Sequence, residues 1–170
     1  EQAKDADYVI FVGGLNKSDH QDNEGTDRLQ ITLPYNQEDI ILALAEVAKN
    51  LVVVNISGSP VAMPWADSAD AIVQGWYGGT ESGNALADVL TGKVNPSGRL
   101  PFSVPFRYED GPIKTEAQYP GVKAEGDQFW QTHYSEGVYV GYRWYATQEI
   151  PVQFPFGHGL SYTTFEYSNA

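Results

Sequence analysis

Apolar positions in the first half of the chain fall into short blocks whose spacing alternates between strand-like and helix-like. Asp7-Tyr8-Val9-Ile10-Phe11-Val12 is a brief apolar run closed by Gly13-Gly14, which predicts a buried strand ending in a turn. Leu51-Val52-Val53-Val54-Asn55-Ile56 is β-branched and continuously apolar up to Ser57-Gly58-Ser59-Pro60, as expected of a strand covered on both faces. Ala71-Ile72-Val73-Gln74-Gly75-Trp76 is a third such run. Between the first two, Ile40, Ile41, Leu44 and Val47 recur on one helical face until Asn50, with Asn36 as cap and Asp39 three residues on. A second helix is expected from Glu81 to Thr91, stopped by Gly92. The order strand, helix, strand, strand, helix predicts an α/β layered sandwich with a mainly parallel sheet and right-handed crossovers.

After Asn95-Pro96-Ser97-Gly98 the pattern dissolves. Pro101, Pro105, Pro112 and Pro120 punctuate a stretch with few periodic segments that runs to about Gln131. Gly137 to Tyr145 reads as aromatic and extended. Residues 1–100 are therefore expected to form a portion of the sandwich. Residues 101–170 are expected to be an irregular, aromatic and proline-rich C-terminal segment with terminal strands of the same domain, packing on a partner domain or subunit. No internal repeat or low-complexity tract is present.

Composition narrows the functions available. At 170 residues and 42% apolar, the chain can bury one substantial core. Twenty-two acidic against ten basic residues, a formal charge of −12, repel phosphate backbones and exclude a basic nucleic-acid face. No run approaches the roughly 20 apolar residues that cross a bilayer, and Glu1-Gln2-Ala3-Lys4-Asp5 lacks a signal peptide's apolar stretch, so no membrane contact is expected. The absence of cysteine excludes disulfides and thiolate chemistry but leaves the compartment open. Four Trp and eleven Tyr are an unusual load; such rings can line sugar sites, though they fill cores and interfaces more often.

Ligands of open α/β sheets sit beyond the carboxyl ends of strands, and the loop from Gly13 to about Gln30 leaves the first strand at that edge. It is longer than the usual ~2–6 residues and holds Asn16, Lys17, Asp19, His20, Asp22, Asn23, Glu24, Asp27 and Arg28, the densest ionisable set in the chain. The alternative is a solvated polar loop. A carboxyl can protonate a leaving group only where burial or a neighbouring carboxylate keeps it protonated. Asp22 and Asp27 flank Glu24 and a partner domain could desolvate it, while Arg28 would pair with Asp27 and hold the loop. Asp19, Asp22 and Asp27 lack the spacing and glycine of a calcium loop. Gly78-Gly79-Thr80 has neither a phosphate-loop lysine nor a dinucleotide fingerprint, and helix entry is its expected role. Ser57-Gly58-Ser59 is not a nucleophile elbow, and His20, His133 and His158 have no ligand-like spacing. Glu81 and Glu136 are the other isolated carboxylates, Glu81 being expected to favour a helix N-terminus.

Five segments in order carry a resemblance. Glu24-Gly25-Thr26-Asp27-Arg28 with Leu33-Pro34 and Gln37 comes first, then Ser57-Gly58-Ser59-Pro60 and Gly79-Thr80-Glu81-Ser82-Gly83-Asn84-Ala85. Asn95-Pro96-Ser97-Gly98-Arg99-Leu100-Pro101 and Phe154-Pro155-Phe156-Gly157-His158-Gly159-Leu160-Ser161-Tyr162 complete the series. Together they resemble the second domain of glycoside hydrolase family 3. The resemblance implies a TIM-like barrel followed by this α/β sandwich, with the sugar held between them and no cofactor. The barrel's nucleophile is an aspartate in a Ser-Asp-Trp context; the only Ser-Asp here, Ser18-Asp19, is followed by His20. The family's acid/base glutamate lies in the loop after the strand matching Asp7 to Val12, and its closest match is Glu24, with Asp27 and Arg28 as loop support. Some members carry that glutamate nearer the strand, where this chain has Gly13-Gly14.

The implied function is that of part of a retaining β-glucosidase, cleaving terminal non-reducing β-D-glucosyl residues from oligosaccharides or aryl glucosides and inactive as this chain alone. The alternatives are a non-catalytic module that closes a sugar pocket or forms a homodimer surface, and a β-xylosidase of the same family. A buried Glu24 facing a barrel pocket would favour catalysis, and a solvent-facing one the module. About half of the sandwich is expected to precede Glu1, so the domain is incomplete and would expose a sheet edge and an apolar face unless its other portion stays associated. A periplasmic or secreted location is expected ahead of a cytoplasmic one.

Overall fold

The computed structural model describes residues 1–168. A single helical turn, α1 (Gln2–Asp5), precedes β1 (Val9–Gly14), α2 (Gln37–Ala45), β2 (Leu51–Ile56), β3 (Ala71–Gln74) and α3 (Ser82–Leu90). The three strands form one parallel sheet in the order β1-β2-β3. Val9 stands opposite Leu51 and Gly14 opposite Ile56, while Val52 faces Ala71 on the other side. The fold class is thus α/β with a parallel sheet, as the alternation of runs predicted.

Alternation along β1 decides what the sheet buries. Val9 and Phe11 pack with Leu51, Val53 and Ile41, the last buried completely, in a cluster that takes in Leu15, Leu33, Val61, Met63 and Trp65. Tyr8, Ile10 and Val12 point the other way and are 69, 49 and 57% exposed. The first run is therefore covered on one face only, not buried as its uninterrupted apolarity predicted. β2, paired on both sides, has Leu51, Val53, Val54 and Asn55 buried.

Two boundaries and one cap differ from those expected. β1 runs through Gly13 and Gly14 because a glycine can lie flat against the neighbouring strand: a Cβ on Gly14, at φ +137°, would strike the Ile56 carbonyl. Asn36 does not cap α2 with its side chain; it sits at φ 55°, left-handed, whereas a capping side chain needs an extended backbone. The helix also closes at Ala45, short of the expected Asn50. Gly92, at φ +75°, follows α3 as expected.

Among the described residues beyond α3 the elements are short: β4 (Val104–Pro105), a 3-10 turn (Tyr108–Asp110), α4 (Tyr142–Thr147) and β5 (Val152–Phe154), with β4 and β5 antiparallel. Gly137 to Tyr145 is not extended. Gly137 and Gly141 take positive φ and turn the chain into α4, where the Trp144 indole donates to the Asp110 carbonyl at 2.9 Å. The segment is tied to the sandwich by the Gln153 amide. Its Nε2 donates to the Met63 carbonyl and its Oε1 accepts from the Met63 N–H, both at 2.8 Å.

Candidate functional site

Because β1, β2 and β3 are parallel, their carboxyl ends lie together, and the loops leaving them converge at one edge of the sheet. The loop after β1 begins from a fixed point. The Gln37 side chain accepts from the Gly14 N–H at 2.7 Å and donates to the Gly14 carbonyl at 2.9 Å, and the Leu15 N–H donates to the Ile56 carbonyl at 2.8 Å. Leu15 then buries in the core.

Within the loop, polar side chains take the place of regular structure. Gln21 is buried, accepts from the Asn16 N–H at 3.0 Å and donates to the Tyr35 hydroxyl at 2.6 Å. The His20 N–H donates to Thr26 Oγ1 at 2.8 Å, and its Nδ1 lies 2.9 Å from the Asp27 carbonyl. Asn23 Nδ2 reaches Asp19 at 2.9 Å, and Asn23 Oδ1 accepts from the Gly25 N–H at 3.2 Å. Glu24 stands at the outer turn of this knitted segment and is exposed. Asp22 and Asp27, expected to flank its carboxyl, are both committed elsewhere.

Asp22 is the hub of the site. Its carboxylate accepts from the Gly58 N–H and Ser59 Oγ, both at 2.6 Å, and from the Tyr77 hydroxyl at 2.8 Å. Burial opposes its ionisation, but the bonds from Ser59, Gly58 and Tyr77 and the charge of Arg28 outweigh that and hold the carboxyl below its usual range. The Tyr77 phenol is correspondingly pushed up to about 12, by burial and by its bond to Asp22, so it remains a donor at all working pH values.

The expected Asp27–Arg28 pair does not form. Arg28 Nη1 donates to Ser59 Oγ at 3.0 Å and to the Pro60 carbonyl at 2.7 Å, and Nη2 to the Ile31 carbonyl at 2.8 Å. The planar guanidinium fork thus reads an array of carbonyl and hydroxyl acceptors behind the loop, with Asp22 as its nearby charge. Asp27 is exposed and accepts from the Tyr119 hydroxyl instead, a contact to the proline-rich segment that raises the phenol's pKa. Neither Arg28 nor Asp27 takes the partner expected of it.

Other carboxylates and histidines lie apart from this cluster. Glu81 accepts from Asn84 Nδ2 at 2.6 Å at the start of α3 but makes no bond to that helix's backbone N–H groups. Glu136 accepts from Gln118 Nε2 at 2.9 Å, which lowers its pKa. His158 stacks on Phe154 at 5.1 Å between ring centroids, and its carbonyl accepts from Leu100, a packing role. Among the described residues no three His, Asp or Glu side chains converge as a metal site, and no helix is long and apolar enough to cross a membrane. Sequence pattern singles out neither Tyr77 nor Tyr119; it marks Asp22 only as a neighbour of Glu24 and Ser59 only as part of the Ser57-Gly58-Ser59-Pro60 turn, whose service to a loop more than thirty residues upstream has no local signature.

A parallel sheet whose long first loop is locked to the turn after the next strand places the candidate site of an α/β domain at the carboxyl edge of its strands. The model of the glycosyl hydrolase family 3 C-terminal domain matches residues 1–142, and the chain belongs to that family. It is 54% identical over 170 residues, 99% of its length, to β-glucosidase BoGH3A of Bacteroides ovatus, and 45% identical over 98% of its length to thermostable β-glucosidase B of Acetivibrio thermocellus. Among solved structures it matches the β-glucosidase of Kluyveromyces marxianus at a TM-score of 0.84 with 43% identity over 97% of the chain. It matches DesR, a β-glucosidase of Streptomyces venezuelae in complex with D-glucose, at 0.86 with 37% identity over 95%. The chain spans about a fifth of the length of these relatives, 22 and 21% of the two sequences and 19 and 20% of the two structures.

Proposed function

We propose that this chain is the acid/base-bearing part of a retaining β-glucosidase, with Glu24 as the acid/base and an aspartate of a separate barrel domain as nucleophile. Glu24 protonates the glycosidic oxygen as the aspartate attacks C1. It then takes a proton from the water that opens the glycosyl-enzyme, which requires the two carboxyls to lie about 5–5.5 Å apart. The observation that carries the reading is an exposed carboxyl raised on a loop whose neighbouring residues are held by side-chain hydrogen bonds, at the carboxyl edge of a parallel sheet. Glucose is preferred over xylose because the relatives are named β-glucosidases and one is solved with D-glucose. The bare Tyr8, Ile10 and Val12 face supports assembly with further sandwich elements, and the proline-rich segment from Pro101 onward is the surface we assign to the partner domain or subunit.

Glu24's exposure in this chain is the feature expected of the second reading, a non-catalytic module that only closes the pocket. Glu24→Ala in the complete enzyme separates the two. Catalysis by Glu24 predicts a loss of about 10²–10⁴-fold on a substrate with a poor leaving group, and azide restores turnover on activated aryl glucosides with β-glucosyl azide as product. Unchanged activity without azide rescue would establish the module.

A further inference from the structure

The segment carrying Glu24 is a short arch, Asn23 to Asp27, and the residues at its two feet grip the same turn. At the near foot Asp22 accepts from Ser59 Oγ at 2.6 Å and from the Gly58 N–H at 2.6 Å. At the far foot Arg28 donates to the same Ser59 Oγ at 3.0 Å and to the Pro60 carbonyl at 2.7 Å. One hydroxyl therefore donates to one foot and accepts from the other. We propose that Ser59 is a positioning residue for the acid/base, joining both feet of the arch so that Glu24 is held at one height above the sheet edge, with Tyr77 securing the near foot through Asp22. The inference rests on the assignment of Glu24 as acid/base.

The chemistry favours a rigid arch. A general acid must meet the leaving oxygen at hydrogen-bond distance, and a misplacement of about 1 Å costs on the order of a hundredfold. The turn that receives the feet is itself fixed. Ser57 Oγ donates to the Ser59 carbonyl at 3.0 Å, and buried Asn55 and Gln74 bond to Ser57 from β2 and β3. The arch is thus referenced to the central strand.

The test compares Ser59→Ala, Ser59→Thr and Tyr77→Phe in the complete enzyme, alone and in the Glu24→Ala background, on methyl and 2,4-dinitrophenyl β-glucosides. In kcat/KM, which reports formation of the glycosyl-enzyme, a displaced acid slows only the substrate that needs protonation. Ser59→Ala should lower kcat/KM for the methyl glucoside by about ten- to a hundredfold and for the dinitrophenyl glucoside by less than about threefold. Ser59→Thr, which keeps the hydroxyl, should restore most of the loss, Tyr77→Phe should act in the same sense but more weakly, and Ser59→Ala should cost nothing further once Glu24 is alanine. Equal slowing of both substrates, or an undiminished effect in the Glu24→Ala background, overturns the positioning role while leaving Glu24 in place. If Glu24→Ala itself fails to discriminate between the two substrates, the acid/base assignment falls first. Should Ser59→Ala not fold, Tyr77→Phe carries the same comparison.

Discussion

Gly14 is the point at which the sheet hands the chain to the Glu24 loop, and Gly14→Ala should be among the costliest single-methyl additions in the molecule. At φ +137° the residue lies where side-chain-bearing residues are strained by ~1–3 kcal/mol. The added Cβ would also collide with the Ile56 carbonyl oxygen, with the Ile56 C and N atoms 2.7 Å away. That oxygen is backbone in the central strand and cannot rotate aside. Moving it breaks the 2.8 Å bond from the Leu15 N–H and pulls on the two Gln37 bonds to Gly14, each worth about 1 kcal/mol. The sum is about 3–5 kcal/mol, a large part of a domain's usual ~5–15 kcal/mol. Gly13→Ala is the internal comparison: its Cβ would meet the Gln37 and Phe11 side chains and disturb the same Gln37 bonds, but it would displace no backbone of the central strand. Urea unfolding followed by tryptophan fluorescence should show a much lower midpoint for Gly14→Ala than for Gly13→Ala. A Gly14→Ala protein within about 1 kcal/mol of wild type would refute the account of how the loop is anchored.

Further perturbations probe the core, the hub and the open face. Ile41→Ala empties a completely buried position on α2 and should cost about 2–5 kcal/mol, read as a lowered urea midpoint with unchanged slope; a loss below ~1 kcal/mol would contradict the core assignment. Because Asp22 has a depressed folded-state pKa, its contribution is fully present above its unfolded value near 4 and fades as pH falls through the lower folded value. The melting-temperature gap between wild type and Asp22→Asn should therefore be constant from pH 7 to 5 and narrow towards pH 3, and a gap independent of pH would remove the linkage. Ile10→Lys should be nearly silent, within about 0.5 kcal/mol, in the isolated chain, where Ile10 is 49% exposed. It should destabilise the complete enzyme by several kcal/mol if further sandwich elements cover that face; equal effects in the two contexts would leave the face uncovered.

The parallel layer was legible because strand and helix leave different periods in sequence, and β2, apolar on both sides, needed no tertiary information. β1 was half misread for the same reason. A run such as Val9-Ile10-Phe11-Val12 reports apolarity on both faces but not what covers them, and here one face is bare. Gly137 to Tyr145 failed differently: its aromatics fit a strand, but two glycines at positive φ and the Trp144 to Asp110 bond close a helical turn instead. In the site, the loop and its ionisable residues could be found from length and position, whereas their pairing could not. Arg28 chose carbonyls of Pro60 and Ile31 over the adjacent Asp27, and Asp22 a turn after β2, because long side chains answer to what the sheet brings near in space.

Nearly every pin on the Glu24 loop lies within the sandwich portion: Gln37 on Gly14, Ser59 under both feet, and His20 to Thr26 and Asp27 across the middle. Among the described residues, the Tyr119 hydrogen bond to Asp27 is the one that comes from the proline-rich segment. The position of the carboxyl is thus set by the sheet and does not wait for another domain. Its environment is a separate matter, since Glu24 is exposed and the two neighbouring carboxylates face other partners. An acid that must hold its proton at working pH needs burial or a like charge nearby. On the proposed reading, both must arrive with the barrel: a surface that excludes water and the nucleophilic aspartate itself. Geometry and protonation are then contributed from opposite sides of one cleft, so either part alone is inert. Substitutions in the Ser59 turn should disturb the placing of the acid, whereas substitutions on the covering surface should shift the basic limb of the pH profile.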